Sequence, residues 1–110
     1  MKVILASEAR ELRDNVLQGK VTSQNITSEG NDKLAVSLVH FSKGTTRGLD
    51  SHSHDQILYI TEGRGVIATE KEEVTVTPGT FVFIPAGEKH SHNATKDSAL
   101  SHIAIRISEG

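Results

Sequence analysis

The 110-residue chain contains no cysteine, so disulfides, thiolate nucleophiles and zinc sites with sulfur ligands are excluded. Its formal net charge is only −2, and it has neither a basic block nor basic residues interleaved with aromatics, so we expect no nucleic-acid partner. No apolar run approaches the roughly 20 residues of a membrane span, and residues 1–5 are too short for the apolar region of a signal peptide. We therefore expect no membrane association and a cytoplasmic location.

At this length the sequence predicts one domain, 1–110, that can build a hydrophobic core without covalent cross-links. From residue 34 onward the turn signals are regularly spaced and the segments between them are short. We expect strands near residues 34–41, 48–52, 56–61, 65–70, 73–77, 80–84, 90–94 and 99–107. Many short strands at even spacing are typical of a β-sandwich or β-barrel. The sequence therefore predicts an all-β fold.

The first third of the chain is less regular. Residues 2–5 are a candidate strand, and Ser7 is a candidate N-cap for a short helix over residues 8–13. Residues 20–27 have the β-branched side chains of a strand but few large ones, which favours a sheet edge or contact with another subunit. Residues 28–32 have the turn chemistry of a loop. We interpret residues 1–33 as an N-terminal extension with an edge strand, and residues 34–107 as the barrel core.

Two histidines, His52 and His54, stand two positions apart, shortly before Gln56 and a run of β-branched and aromatic residues. In an extended chain, residues two apart lie on the same side, so such a pair can converge on one ion. Neutral imidazole is the commonest metal ligand among side chains. The stretch therefore predicts a metal site.

A second stretch downstream contains Gly79, then five residues, Pro85-Ala86-Gly87, two residues and His90. Together the two stretches resemble the signature motifs of the cupins, small antiparallel β-barrels that hold a metal ion inside. The second stretch agrees with that family's motif at four fixed spacings. The resemblance, over residues 34–107, implies a single-domain jelly roll (a double-stranded β-helix) with a short N-terminal strand or helix extension.

The first cupin motif has Gly, five residues, His-x-His, three or four residues, Glu or Gln, six residues and Gly. Counted back from Gly63, Gln56 lies at the Glu-or-Gln position. If His52 and His54 are the histidine pair, only Asp55 separates them from Gln56, which is too few residues for a hairpin turn. This register therefore requires a bulged strand and a longer preceding loop.

Counting forward from Gly44 gives a second register, which needs no insertion. Asp50 and His52 then occupy the two histidine positions, and His54 stands in a three-residue turn. Both registers remain open. The metal ligands that the resemblance implies are His52, Gln56 and His90, completed by either His54 or Asp50.

The last predicted strand alternates between two kinds of side chain. One face has Ile103, Ile105 and Ile107, and the other has His102, Ala104 and Arg106. We expect the isoleucines to occupy the core. If the other face looks into the barrel, His102 and Arg106 lie beside the metal.

The stretch from Pro85 to Ile105 resembles small cupins that include manganese-dependent bacterial hydroxynitrile lyases. In that group three His and one Gln hold the metal, and a His on the last strand is the base. The resemblance implies Gln56 and His90 as ligands and His102 as the base. Arg106 stands where that group often has a neutral side chain, and it would suit an anionic substrate better than a cyanohydrin.

A mixed set of imidazole and amide ligands, with or without a carboxylate, suits one divalent transition metal ion per chain. Mn or Fe is preferred, and Zn, Ni or Co would also fit. A neutral Gln in place of Glu leaves more positive charge on the ion, which favours Lewis-acid chemistry. With Asp50 as a ligand, the set approaches the pattern of two His and one carboxylate found in non-haem iron sites.

We therefore expect a metal-dependent enzyme for a small oxygen-bearing substrate, with lyase, isomerase or dioxygenase activity. His102 would move a proton, and His92 and Arg106 would orient or screen the bound group. The alternatives are a non-catalytic ligand-binding or sensor barrel and a structural barrel without metal. Because residues 81–84 are apolar on both faces, we also expect a homodimer.

Overall fold

A computed structural model describes residues 1–6, 9–27 and 33–107, which form strands and no helix. The strands are β1 (Arg10–Leu12), β2 (Val16–Gln18), β3 (Val21–Asn25), β4 (Leu34–Phe41), β5 (Thr46–Arg47), β6 (Gln56–Gly63), β7 (Gly65–Thr69), β8 (Glu73–Val76), β9 (Phe81–Ile84), β10 (His90–Ala94) and β11 (Leu100–Ile107). The described part of the chain thus has no long apolar helix that could cross a membrane.

The strands form three antiparallel sheets. The largest has the order β1-β3-β4-β11-β6-β9, the second has the order β10-β7-β8, and β2 pairs with β5. The buried core takes side chains from both larger sheets, which therefore pack face to face. Its members are Val21, Val39, Phe41, Leu58, Ile60, Ile67, Val76, Ile84, Ala94 and Leu100. The predicted all-β antiparallel jelly-roll barrel is confirmed.

The predicted strands from residue 34 onward are confirmed with one exception. Residues 48–52 do not form a strand: strand β5 ends before them at Arg47, and their pairing is limited to an isolated bridge between Asp50 and His90. The side chain of Asn15 explains the break. Its Nδ2 donates to the carbonyl oxygens of Gly48 at 2.7 Å and Leu49 at 3.3 Å, so these carbonyls bind a side chain instead of a neighbouring strand.

The predicted helix over residues 8–13 is wrong, because β1 occupies residues 10–12 and pairs with β3. A segment this short is too costly to nucleate as a helix by itself, and Leu12 packs against the core. Residues 2–5 form no strand, although Gln24 Nε2 donates to the Leu5 carbonyl at 2.7 Å. Ser7 and the predicted loop 28–32 lie outside the described residues.

The edge position predicted for residues 20–27 is also wrong. Strand β3 lies between β1 and β4 in the large sheet, and Val21 is fully buried in the core. The small side chains that suggested an edge are instead suited to the inner part of the sheet, where Ser23 lines a cavity.

The two faces of β11 are reversed relative to the prediction for its isoleucines. None of the three belongs to the buried core, and Ile107 is 67% exposed. The inner face carries His102, Ala104 and Arg106, which line a cavity. Ala104 and Arg106 lie opposite the small residues Ser37 and Ala35 of β4, which line the same cavity. The isoleucines therefore face outward.

The outer face of the large sheet is apolar and exposed. Phe81 and Phe83 of the edge strand β9 are 70% and 60% exposed, and the rings of Phe81 and Tyr59 lie with centroids 4.6 Å apart. Ile57 and Ile107 are also exposed on this sheet. Contiguous apolar surface of this kind is typical of a contact surface.

Two turn glycines offer a matched test of the fold. Gly63 and Gly79 both have positive φ, 80° and 89°, but a Cβ at Gly63 would collide with the Ala99 carbonyl, whereas nothing lies within 4 Å of one at Gly79. Gly79→Ala should therefore cost only the left-handed backbone penalty, about 1 to 2 kcal/mol. Gly63→Ala should cost about 1 to 3 kcal/mol more, because the clash is added.

Urea unfolding of both variants measures these two free energies. Equal losses would contradict the close approach of the Gly63 turn to Ala99.

Candidate functional site

A cavity of about 230 Å³ lies inside the barrel against the large sheet. One wall is apolar and is formed by Leu12, Val39, Phe41 and Ala104. The other lining residues that matter for chemistry are Arg47, His52, Gln56, His92, His102 and Arg106. The cavity therefore combines a surface for a carbon skeleton with groups that can bind oxygen atoms.

A smaller cavity of about 60 Å³ adjoins the first and shares Arg47, His52 and His92 with it. It is also lined by Asp50 and His90, which the isolated bridge holds together: each backbone N–H donates to the other residue's carbonyl at 2.8 Å. This bridge joins the loop before β6 to the start of β10. It brings the two sequence motifs into contact.

Four imidazoles follow one another across the two cavities. The ring centroids are 5.2 Å apart for His52 and His90, 5.0 Å for His90 and His92, and 5.1 Å for His92 and His102. His90 and His92 share a face because they are two apart in β10. We call these four residues the histidine row.

The His90 ring is held in a defined orientation. Its Nδ1–H donates to the Glu88 carbonyl at 2.8 Å, and a carbonyl can only accept, so the proton of the neutral ring is on Nδ1. Nε2 then carries a free lone pair. A histidine whose other nitrogen donates to a carbonyl is the usual arrangement of a metal ligand.

Gln56, the first residue of β6, is buried, and its Oε1 has no hydrogen-bond partner among the described residues. A buried amide oxygen without a partner is costly and calls for a cation, a donor or a water. Gln56 lines the same cavity as His52. The oxygen is therefore an acceptor left free next to the histidine row.

His52 and His90 form a candidate metal site only if the Gln56 amide is counted as a ligand. Within residues 1–6, 9–27 and 33–107, no group of three or more His, Asp or Glu side chains is placed to hold an ion. Two imidazoles, His52 and His90, lie side by side, and Gln56 adds the unsatisfied oxygen. A mixed set of nitrogen and oxygen donors suits a divalent transition metal.

The structure places Asp50 and His54 differently. Asp50 lines the smaller cavity with His52 and His90, and its Oδ1 accepts from the Ser51 backbone N–H at 2.8 Å. His54 lines another, largely apolar cavity of about 340 Å³, which shares Arg106 with the larger cavity but contains none of the histidine row. Asp50 is therefore next to the histidine row, and His54 is not.

His92 and His102 form a hydrogen-bonded pair inside the barrel. The Nδ1 of His92 and the Nε2 of His102 are 3.1 Å apart, so one nitrogen donates and the other accepts. His102 is buried beside Phe41, with ring centroids 5.2 Å apart, and its Nδ1 has no partner among the described residues. That nitrogen is buried and unpaired among the described residues.

Burial lowers the pKa of three imidazoles in the histidine row, His52, His92 and His102. It lowers the pKa of His102 to about 4, against a backbone hydrogen bond that raises it, and the charge of Arg47 lowers it further. Burial also lowers the pKa of His92 well below its usual value, as do the neighbouring His102 and His90. For His52, burial lowers the pKa first, and His90 adds to this.

Arg47 is a cavity residue that the motifs did not predict. Its backbone N–H donates to Asn93 Oδ1 at 2.9 Å, and its Nη2 donates to the Asp14 carbonyl at 2.8 Å. It lines both cavities. In the first cupin motif, Arg47 falls among the five residues of unspecified type that follow the glycine. The sequence therefore indicated its role only through its position three residues before Asp50.

Comparison with known proteins identifies relatives of the chain. The family model described as "Cupin domain" matches residues 37–106. An uncharacterised protein of Streptomyces coelicolor is 31% identical over 65 residues, 58% of this chain and 62% of that protein. An (R)-mandelonitrile lyase of Granulicella tundricola is 34% identical over 74 residues, 66% of this chain and 56% of the lyase. The chain thus spans between 56% and 62% of the length of these relatives.

Among solved structures, a cupin-like protein from Thermotoga maritima superposes with a TM-score of 0.82 at 26% identity. The match covers 94% of this chain and 80% of that one.

The burial of His102 predicts acid sensitivity. Below pH 6.5 the unfolded chain binds a proton at this residue, whereas the folded chain resists it until about pH 4, so stability falls as the pH drops through that window. For metal-free protein kept in chelator, we expect His102 alone to make the free energy of unfolding about 2 kcal/mol smaller at pH 5 than at pH 7. Urea titrations at both pH values measure this difference.

His102→Gln should reduce the pH dependence, although His92 retains part of it because its pKa is shifted in the same direction. Leu58→Ala is the control: it removes buried apolar volume and should lower stability at both pH values alike. An unchanged pH dependence in His102→Gln would show that His102 is not held neutral by burial.

Proposed function

Because the chain belongs to the cupin family, we propose that it is a metal-dependent enzyme acting on a small oxygen-bearing substrate. The observation that carries the proposal is the unpartnered, buried Oε1 of Gln56 in a cavity that His52 also lines, with the His90 ring centroid 5.2 Å from that of His52. A bound cation would satisfy this oxygen. The proposed unit is the single domain of residues 1–110.

The proposed ligands are His52, Gln56 and His90, with the Asp50 carboxylate as the fourth. Asp50 would have to turn its side chain toward the ion, since in the described residues Asp50, His52 and His90 are not placed as a three-ligand group. The placement of Asp50 in the cavity that His52 and His90 also line supports this choice over His54. The proposed ion is one divalent transition metal per chain, with Mn or Fe preferred to Zn, Ni or Co. When bound, it would act as a Lewis acid on a substrate oxygen.

His102 is proposed to move the proton. It is neutral at pH 7 because burial lowers its pKa to about 4, so it can accept a proton from a bound hydroxyl or carbon acid. Its Nδ1 has no described partner, and its Nε2 is held by His92 at 3.1 Å. His92 would therefore orient the ring, and Arg106 would bind or screen the developing negative charge.

The relative named (R)-mandelonitrile lyase supports lyase chemistry as one form of this proposal. Isomerase and dioxygenase reactions use the same parts, since each begins with an oxygen group held near a base. The cavity contains a second arginine, Arg47, besides Arg106. Two arginines favour a negatively charged substrate over a neutral one.

Metal binding is tested by removing the unpaired oxygen. We expect the wild-type chain to bind one Mn²⁺ or Zn²⁺ per chain, and Gln56→Leu to weaken binding by at least about 10-fold, since even outer partners of metal ligands are worth about 10- to 100-fold. Calorimetric titration and elemental analysis measure this. His40→Ala is the control, because His40 is exposed and bonds to Ser101 Oγ at 2.7 Å.

The same titration decides the ligand register. Asp50→Ala should weaken metal binding, and His54→Ala should leave it at the wild-type value. Equal metal content in wild type and Gln56→Leu, or a loss confined to His54→Ala, would overturn the proposed ligand set.

A second candidate function is a small-ligand-binding or sensor cupin without catalysis. The low pKa of His102, about 4, favours it, because the best general base has a pKa near the working pH. In such a protein the histidine row would hold a metal and a ligand without moving a proton.

His102→Gln separates the two candidates. For the enzyme, we expect turnover of hydroxy and oxo compounds to fall by about 10²- to 10⁴-fold, the usual contribution of general acid–base catalysis, while metal content is retained. Product formation followed by NMR measures this. Ligand affinity in the wild type with no turnover by either protein would establish the binder instead.

The homodimer and the cytoplasmic location stay predictions. The exposed apolar outer face around Phe81, Phe83 and Ile57 supports the homodimer, since the same face on a second copy would cover it in a two-fold interface.

A further inference from the structure

Two arginines line the larger cavity without an ion-pair partner. Within residues 1–6, 9–27 and 33–107, the ion pairs are Arg13–Glu11, Lys20–Glu11 and Lys89–Glu70, and neither Arg47 nor Arg106 takes part in one. No Asp or Glu is among the described residues that line this cavity. Neither guanidinium is therefore within ion-pair distance of a described carboxylate, although Arg47 shares the smaller cavity with Asp50 and Arg106 shares the cavity of His54 with Asp55.

The strand register places Arg106 next to the proposed metal ligand Gln56. Arg106 of β11 lies directly opposite Gln56 of β6, and both residues line the cavity. Side chains at opposite positions of neighbouring strands have their Cβ atoms roughly 5 Å apart. A group bound by the guanidinium is then within a small molecule's reach of the Gln56 oxygen.

Arg47 approaches the same space from β5. The bond from its backbone N–H to Asn93 Oδ1, at 2.9 Å, fixes it beside His92, the neighbour of Asn93. Of the five N–H donors of a guanidinium, one is used by the Asp14 carbonyl. Other donors remain for a ligand in the cavity.

The charge of the cavity continues outward. A wider opening of about 620 Å³ shares Arg106 with the cavity and is also lined by Lys2 and Arg10, with no Asp or Glu among its described lining residues. The whole chain has 14 acidic and 12 basic residues, so a region lined by four basic side chains and no acidic one departs from the average. Such a region concentrates anions.

We propose that Arg47 and Arg106 form a carboxylate-binding site and that the substrate is a small hydroxy or oxo carboxylic acid. This rests on the proposed function, since the hydroxyl or carbonyl oxygen would bind at the metal while the arginines hold the carboxylate. A guanidinium binds a carboxylate through two parallel hydrogen bonds. The apolar wall of Val39, Phe41 and Ala104 would contact the carbon skeleton, which favours an organic acid over inorganic phosphate.

The test compares acids with their neutral amides on the full chain. Racemic lactate and lactamide, and pyruvate and pyruvamide, are titrated into the zinc-loaded and the metal-free protein, and dissociation constants are measured from NMR chemical shifts. We expect each acid to bind at least about tenfold more tightly than its amide, because the charge-assisted bonds to the arginines are lost in the amide.

Arg47→Gln and Arg106→Gln should each remove most of the preference for the acid. Arg64→Gln is the matched control: Arg64 is exposed on the turn between β6 and β7 and lines neither the cavity nor its opening, so its loss should leave the preference intact. Equal binding of acid and amide, an equal effect of Arg64→Gln, or tighter binding of inorganic phosphate than of lactate would each overturn the carboxylate site.

Zinc content, measured on the same samples, separates the two proposals. A wild type that binds zinc but shows no preference for acids contradicts the carboxylate site alone. A wild type that binds no zinc contradicts the proposed enzyme, and the titrations of the metal-free chain then still decide whether the arginines bind carboxylates.

Discussion

The alternation of side chains along two strands, β6 and β11, is the constraint on which the rest of the structure depends. In β6, placing Gln56 inside also places Leu58 and Ile60 inside, and it turns Ile57 outward. The same holds for β11, where His102 faces inward and Ile103 faces the other side. Because a strand has only two faces, a polar interior on these strands leaves apolar residues on the outer surface. The site and the exposed outer face therefore have one cause.

Most of the barrel could be predicted from the sequence, because glycine-marked turns and β-branched runs fix short strands locally; β4 and β10 have the predicted bounds. The first third could not. Whether residues 10–12 are helix or strand is decided by pairing with β3, a contact between distant residues. The inward face of β11 could not be predicted either, since an alternating pattern gives the period and not the side.

The candidate site also has residues that could be predicted from the sequence and residues that could not. The spacings that indicated His52, Gln56 and His90 depend on local register, and the structure gathers all three around the two adjoining cavities. The choice between Asp50 and His54 depends on the bridge from Asp50 to His90, which joins residues 40 positions apart. Arg47 reaches the cavity through Asn93 and Asp14. Contacts of this kind leave no pattern in a single sequence.

Charge links the two proposals. Two neutral imidazoles and a neutral amide do not compensate the charge of a divalent ion. The two arginines add further positive charge to the same space. Among the described residues, Asp50 is the one carboxylate that lines either cavity. Like charges brought together in a partly desolvated cavity repel, so an anion bound among them reduces this repulsion. A carboxylate bound between the arginines and the metal would supply that charge. Its affinity and that of the ion would then increase each other by the same factor, since coupling between two ligands is reciprocal. A neutral amide has no net charge and would lack that coupling.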